Sequence, residues 1–358
     1  TAFSGRANDV KTPSLPYVLY DLGTTSLRLI QALVGAGQTV MVVESDAHDA
    51  VRIRDMLQRH TRDPHLTVET MIPDRCAGFI CRGCHVTHAP PQTLVVVVDG
   101  PQILRDVPCP LGTVAMDVLR LGVIEVAFGG ASQETRSTTI DLIQMLRCPY
   151  TISQRTDVFE GTVLQDLALA MIDRLMLVGS LPWELDEALV QAGFVQGLLK
   201  AQDHIGLEVA FGRRQTRGEH LLVADRMVRE GRLGRSVGVG WYRYPGGGGA
   251  VIDPLIEDLI VEEARFAVIR PVAMTPQQAA EAVLFGVINT AANLVSEDVT
   301  QDDLDQLALH KLGLPNMHRR AAKVGSSGIR TKLERLANID AVLWGPAENL
   351  TGFLGTAP

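Results

Sequence analysis

Cys76, Cys81 and Cys84 stand within nine residues of one another, beside His85 and His88. Three thiolates and one imidazole are an ordinary donor set for structural zinc, and the short spacings of Cys76, Cys81, Cys84 and His85 would let one loop supply all four. Such a staple would add folding free energy. Cys81 to His85 also spells the CxxCH string of covalent haem attachment. That chemistry needs an exported chain, and nothing here signals export. The plain alternative is partly buried cysteines and surface histidines with no metal. The five cysteines are an odd number, which is no secreted disulfide framework and points to a reducing cytoplasm.

These residues must be held by a fold, and the apolar pattern gives one. Residues 17–20 (YVLY) form a short buried strand, followed by Gly23 and an amphipathic helix over 26–34 that Gly35 and Gly37 end. Residues 39–43 are a second strand, closed by Glu44. Strand, turn, helix, strand, acid is the opening of a doubly wound dinucleotide fold. The run 94–98 (LVVVV) is continuously apolar, as expected of a parallel strand covered on both faces. Weaker strands are expected at 123–127 and 149–152, with a helix over 133–147 between them.

Near residue 155 the period changes to that of helices. Residues 159–177, 184–192, 218–230 and 276–294 read as helices, the last with its Pro in the first turn. Residues 231–244 (GRLGRSVGVGWYRY) form a turn and a short extended piece, in which Trp241 and Tyr242 pack as core. A flexible glycine tract follows at 246–249. The helical part contains a faint duplication: a long helix is followed by ELDEAL and Gly193 in one copy, and by DLDQLA and Gly313 in the other. Asp186 and Asp305 each sit where they can brace a short helix. The expected fold is therefore a shortened α/β Rossmann-like nucleotide domain followed by two related all-α domains. The expected boundaries are a tail over 1–16, the α/β domain over 17–155, and helical domains over 156–250 and 251–358.

The 358 residues carry a net charge of −8 and a pI near 5.6. That opposes nucleic acid as a partner, because phosphate binding needs a basic face. No apolar run reaches the roughly 18–20 residues of a membrane span. The polar, Pro-containing first residues are no secretory signal. They lack a starting Met, as a processed chain or a piece of a longer one would.

Residues 157–354 resemble the helical half of the 3-hydroxyacyl-CoA dehydrogenases, in the two-copy form of the bifunctional fatty-acid oxidation enzymes. Gly231-Arg232-Leu233-Gly234 through Gly238-Val239-Gly240-Trp241-Tyr242 carries the resemblance, after Ala224-Asp225-Arg226. Gly193 to Gly197 followed by Asp203, and Gly313-Leu314-Pro315, add to it. The hydratase half of the bifunctional enzymes is absent from this sequence. The resemblance implies NAD-dependent oxidation of a 3-hydroxyacyl-CoA, by proton removal with hydride transfer to the nicotinamide, and a homodimer. Arg213, Arg214 and Arg217 could meet the phosphates of coenzyme A, or be solvated at a helix end.

The N-terminal half departs from the family pattern. Asp21-Leu22-Gly23-Thr24-Thr25-Ser26 aligns with the family's G-x-G-x-x-G, so Gly23, Thr24 and Thr25 would line the cofactor and Glu44 would accept a ribose hydroxyl. Asp21 adds a carboxylate where a pyrophosphate would sit, which opposes anion binding. The family's catalytic His is held by a Glu on the next strand. The resemblance puts Glu125 on that Glu, Thr113 on the His, and Thr162 on an Asn of the first long helix. Threonine cannot shuttle a proton near neutral pH. His85 or His88 could replace the missing base, given a new geometry against Glu125. The implied outcome is weak dehydrogenase activity, or a non-catalytic homologue serving as a binding or assembly subunit.

Overall fold

The computed structural model describes residues 15–60, 63–98, 100–118, 122–155 and 157–354, without the side chains of Thr24, Thr25 and Leu354. The expected tail, but for its last two residues, lies outside the described residues. The chain divides after Phe159 into two compact units.

The short apolar runs of the first unit build one sheet. Its strands are β1 (Tyr17–Tyr20), β2 (Val40–Val43), β3 (Leu66–Glu69), β4 (Gly78–Cys81), β5 (Leu94–Val97), β6 (Thr113–Asp117), β7 (Ile124–Ala127) and β8 (Tyr150–Ile152). They lie in the order β3-β2-β1-β4-β5-β6-β7-β8. Strands β1 to β6 are parallel, β7 runs antiparallel to β6, and β8 runs parallel to β7. Helices α1 (Leu27–Gly35), α2 (Ala47–His60), α3 (Ile103–Asp106) and α4 (Gln133–Leu146) make the connections. All four residues of β1, β4 and β5 are buried, as strands covered on both faces must be. Leu19, Val96, Met116 and Val126 pack with Leu29, Ile30 and Leu33 of α1 and Ile143 of α4 on one face. Tyr20, Phe79, Cys81, Val97, Ala115 and Ala127 belong to the core of the other.

The segment between Glu44 and Leu94 is short for the usual helix–strand content of such a domain. It holds α2, β3 and β4; the economy is in the connections. Residues 70–77 join β3 to β4 without a helix, and only the 3₁₀ turn Gly83–His88 stands between β4 and β5.

The second unit is helical: α5 (Glu160–Leu177), α6 (Pro182–Gln191), α7 (Leu198–Ile205), α8 (Leu207–Arg217), α9 (Leu222–Arg229), α10 (Leu255–Phe266), α11 (Pro276–Leu294), α12 (Gln301–Leu312), α13 (Met317–Val324) and α14 (Ser326–Leu336), then two short helices, Ala341–Trp344 and Leu350–Leu354. The run α5 to α8 has lengths 18, 10, 8 and 11, and the run α11 to α14 has 19, 12, 8 and 11. The sharp bend between the last two helices of each run falls on a glycine with positive φ, Gly206 (103°) and Gly325 (78°), where a side chain would be strained. Asp186 accepts the Leu199 N–H and Asp305 the His318 N–H, thirteen residues on in both cases. Both runs pack in one unit, with α11 against α5 and α6 and with α12 against α5.

Candidate functional site

Ligands of open α/β sheets bind outside the carboxyl ends of the strands, where the strand order reverses. Here the order reverses between β1 and β4. Beyond β1 the chain turns through Asp21, at a left-handed φ of 48°, and Gly23, at 55°, into a 3₁₀ turn ahead of α1. Glu44, at the end of β2, is buried and accepts the Gly23 N–H at 3.0 Å. Burial pushes its carboxyl up, against the pull of that hydrogen bond. The amide that faces an incoming phosphate in a dinucleotide fold is thus already bonded to a carboxylate. Asp21 accepts the Ser45 N–H at 2.7 Å and its hydroxyl at 2.8 Å. Its negative charge is held at the turn by the chain itself. Thr24 and Thr25 occupy the 3₁₀ turn, and their side chains lie outside the described ones.

On the β4 side of the crevice stand the two histidines. The His88 ring stacks on Tyr20 with centroids 5.4 Å apart, and the His85 ring meets Tyr20 edge-on at 5.2 Å. Tyr20 in turn stacks on Phe79 at 5.6 Å. His85 Nε2 lies 3.9 Å from Asp21 Oδ2. These contacts make an aromatic cluster across the strand ends, not a metal centre. Cys76 is buried with its Sγ 3.9 Å from the Thr93 hydroxyl, Cys81 is buried within β4, and Cys84 is exposed. Among the described residues no three His, Cys, Asp or Glu side chains converge as metal ligands. The zinc reading of Cys76, Cys81, Cys84 and His85 is thereby corrected. The alternation of β4 and the turn after it send these side chains to separate surroundings. Nor do His85 and His88 approach Glu125. Three inter-strand steps separate β4 from β7, about 14 Å at roughly 4.8 Å each.

Glu125 is fully buried on β7. The ladder sets Asp117 opposite it on β6 and Thr151 beside it on β8. Residues directly opposite share a face, with Cβ atoms about 4.5–5.5 Å apart. Two carboxylates therefore stand together at the carboxyl end of β6. Thr113 is at the other end of that strand, where its hydroxyl bonds the Pro110 carbonyl at 2.7 Å. Four residues separate it from Asp117, about 13 Å at roughly 3.3 Å per residue. Counting along the sequence put Thr113 beside Glu125; pairing of the strands puts Asp117 there. The signal available in the sequence was the acid ending an apolar run, TVAMD. Thr162 is half-buried in the first turn of α5.

The Gly-rich segment of the helical unit is built around a buried carboxylate. Asp203, on α7, accepts the Trp241 N–H at 2.8 Å, the Tyr242 N–H at 2.9 Å and the Tyr244 hydroxyl at 2.9 Å. Asp186 accepts the Leu199 and Lys200 N–H groups and the Tyr242 hydroxyl. A Cβ at Gly234 would fall 2.5 Å from the Asp203 carbonyl oxygen, and one at Gly197 2.1 Å from the Asp186 carboxyl carbon. The glycines let the backbone close on these two acids, and Trp241 and Tyr242 are core, as expected. Arg213 and Arg217 both bind Asp166, at 2.5 and 2.7 Å. Arg214 pairs with Asp225 in the interior, which corrects the expectation of a solvated helix end.

No family model matches the chain. It is 28% identical over 186 residues to the peroxisomal bifunctional enzyme of Danio rerio, covering 45% of this chain and 26% of that protein. It is 25% identical over 230 residues to the peroxisomal bifunctional enzyme of Cavia porcellus, covering 58% of this chain and 32% of that one. The chain thus matches only about a third or less of these relatives' length. Among solved structures it resembles the 3-hydroxybutyryl-CoA dehydrogenase of Escherichia coli, with a TM-score of 0.69 at 15% identity, over 95% of this chain and 98% of that one. It also resembles the dehydrogenase part of multifunctional enzyme 1 from C. elegans, with a TM-score of 0.62 at 14% identity, over 97% and 93%. The Rossmann-like sheet, the helical unit that follows it and these sequence matches together support a divergent member of the 3-hydroxyacyl-CoA dehydrogenase family.

Proposed function

We propose that this chain is a 3-hydroxyacyl-CoA dehydrogenase-like protein of fatty-acid β-oxidation that takes an acyl-CoA ligand. In this reading its NAD-dependent oxidation of 3-hydroxyacyl-CoA to 3-oxoacyl-CoA is weak or lost. The observation that carries the reading is the residue facing Glu125. A base tuned near neutral pH is needed there to exchange a proton with the substrate hydroxyl, and Asp117 stands in its place. A second reading, a non-catalytic binding or assembly subunit, is favoured by the crevice between β1 and β4. Gly23 donates to the Glu44 carboxylate there, and the His85 and His88 rings pack on Tyr20. The pyrophosphate and ribose of NAD would have to displace those contacts, so the residues present do not fit that cofactor.

NADH titration followed by nucleotide fluorescence, with acetoacetyl-CoA reduction measured alongside, tests both readings. Wild-type turnover is expected to be at or near the detection limit and unchanged in His85→Ala and Thr113→His. Robust turnover that collapses in His85→Ala would overturn the proposal and identify a relocated base. Measurable NADH binding without turnover would favour the first reading over the second.

A homodimer formed through the helical unit belongs to this proposal. Leu255 and Phe266 lie on one face of α10, eleven residues apart, and are 66% and 65% exposed. Exposed apolar residues on one helix face suit a protein partner. No helix among the described residues is long and apolar enough to cross a membrane. The absence of disulfides among the five cysteines suits a reducing compartment; the curated relatives are peroxisomal by name.

A further inference from the structure

The first unit has a cleft of about 320 Å³ where β7 and β8 end. Antiparallel β7 ends beside the start of β6, so the cleft lies at the other end of the strands from Asp117, with Ala127 two residues along β7 from Glu125. Arg105, Arg136 and Arg155 line it, with Leu104, Phe128 and Ser153. No acidic side chain is among the described lining residues. In a chain of net charge −8, three cations around one small cavity are a local reversal of sign.

Each guanidinium is held by its Nε. Arg105 donates to Asp106 at 2.7 Å, Arg136 to the Ala131 carbonyl at 3.2 Å, and Arg155 to the Val158 carbonyl at 3.2 Å. Arg136 also lies over the Phe128 ring, 4.9 Å from its centroid. Holding these groups before a ligand arrives lowers the entropy cost of binding. Arg105 and Arg155 are bonded to the exposed carboxylates Asp106 and Asp157. Exposed pairs of this kind are weak, so a multiply charged anion can compete with them. Guanidinium forks suit phosphate oxygens. The volume exceeds that of a bare anion, and Leu104 and Pro101 supply an apolar wall.

We propose that this cleft binds an organic phosphate, with Arg105, Arg136 and Arg155 on the phosphate oxygens and the apolar wall against the organic part. The site does not depend on the crevice at β1 and β4 or on any dehydrogenase activity.

Calorimetric titration of the full chain with ADP, and separately with inorganic pyrophosphate, at low ionic strength tests the proposal. ADP is expected to bind more tightly than pyrophosphate, and binding of both is expected to weaken as salt rises. The double variant Arg105→Gln/Arg155→Gln, changed at one exposed and one half-buried side chain, should weaken ADP binding roughly 100-fold, about tenfold for each guanidinium removed. Asp106→Asn should strengthen it. The proposal fails if neither probe binds at millimolar concentration, or if pyrophosphate binds and ADP does not. It also fails if the double variant retains wild-type affinity.

Discussion

Replacing Gly240 with alanine would put a methyl group 2.0 Å from Asp203 Oδ1 and 2.6 Å from the Gly234 Cα. Gly234 cannot yield, because it is itself packed against the Asp203 backbone. The carboxylate must move, and its bonds to the Trp241 and Tyr242 amides and to the Tyr244 hydroxyl go with it. A hydrogen bond to a charged group contributes about 1.5–3 kcal/mol net. Losing two of the three predicts a destabilisation of about 3–6 kcal/mol, a large part of the roughly 5–15 kcal/mol of a typical domain. Tyr244→Phe, which removes one bond and adds no bulk, should cost about 1–3 kcal/mol. Trp183, Trp241 and Trp344 all lie in the helical unit. Tryptophan fluorescence during urea unfolding therefore reports that unit alone and avoids the multi-domain complication. If Gly240→Ala lost less than about 1 kcal/mol, or no more than Tyr244→Phe, the account of this segment as a cradle for Asp203 would be refuted. The glycines would then need another explanation, such as room for a ligand.

The other predictions concern a buried acid and the assembly. Asp173 is buried in α5, where it accepts the Leu222 and Ala224 N–H groups at the start of α9, and burial pushes its carboxyl from 3.8 up to about 6. The folded chain therefore keeps this proton where the unfolded chain has lost it. The stabilisation is complete below about pH 4 and is lost as the pH rises through 6. Asparagine cannot titrate, so the cost of Asp173→Asn should be about 3 kcal/mol smaller at pH 7.5 than at pH 4, at roughly 1.36 kcal/mol per pKa unit. Equal costs in urea at the two pH values would count against the shift. For the assembly, light scattering at micromolar concentration should give the mass of two chains, falling toward one in Leu255→Glu/Phe266→Glu. A wild-type mass of one chain would remove the dimer.

The sheet could be read from the sequence where the physics is one-dimensional. A strand covered on both faces is apolar throughout, so β1 and β5 announce themselves, and Gly23 marks the turn that only a left-handed backbone makes. Strand β6 and helix α2 are less legible, because only Val114, Ala115 and Met116 of TVAMD are apolar and α2 is mostly polar outside Ala50, Ile53 and Leu57. Glu125 and its neighbours are a different case: distance along the chain measures path length, whereas neighbours in a sheet are set by register. The antiparallel register of β6 and β7 sets Asp117 opposite Glu125. The cysteines and histidines have the types of a metal site, but only the course of the backbone shows that His85 and His88 pack on Tyr20 while Cys76 and Cys81 are buried and Cys84 is exposed.

The Gly-rich segment was legible as a resemblance while its cause was hidden, since Asp203 lies 38 residues before Trp241. These outcomes share a physical contrast. In the helical unit, Asp173, Asp186, Asp203 and Asp225 each meet the donors that justify burying a carboxylate. At the carboxyl edge of the sheet, Asp21 and Glu44 accept the Ser45 and Gly23 N–H groups, and Asp117 stands opposite Glu125.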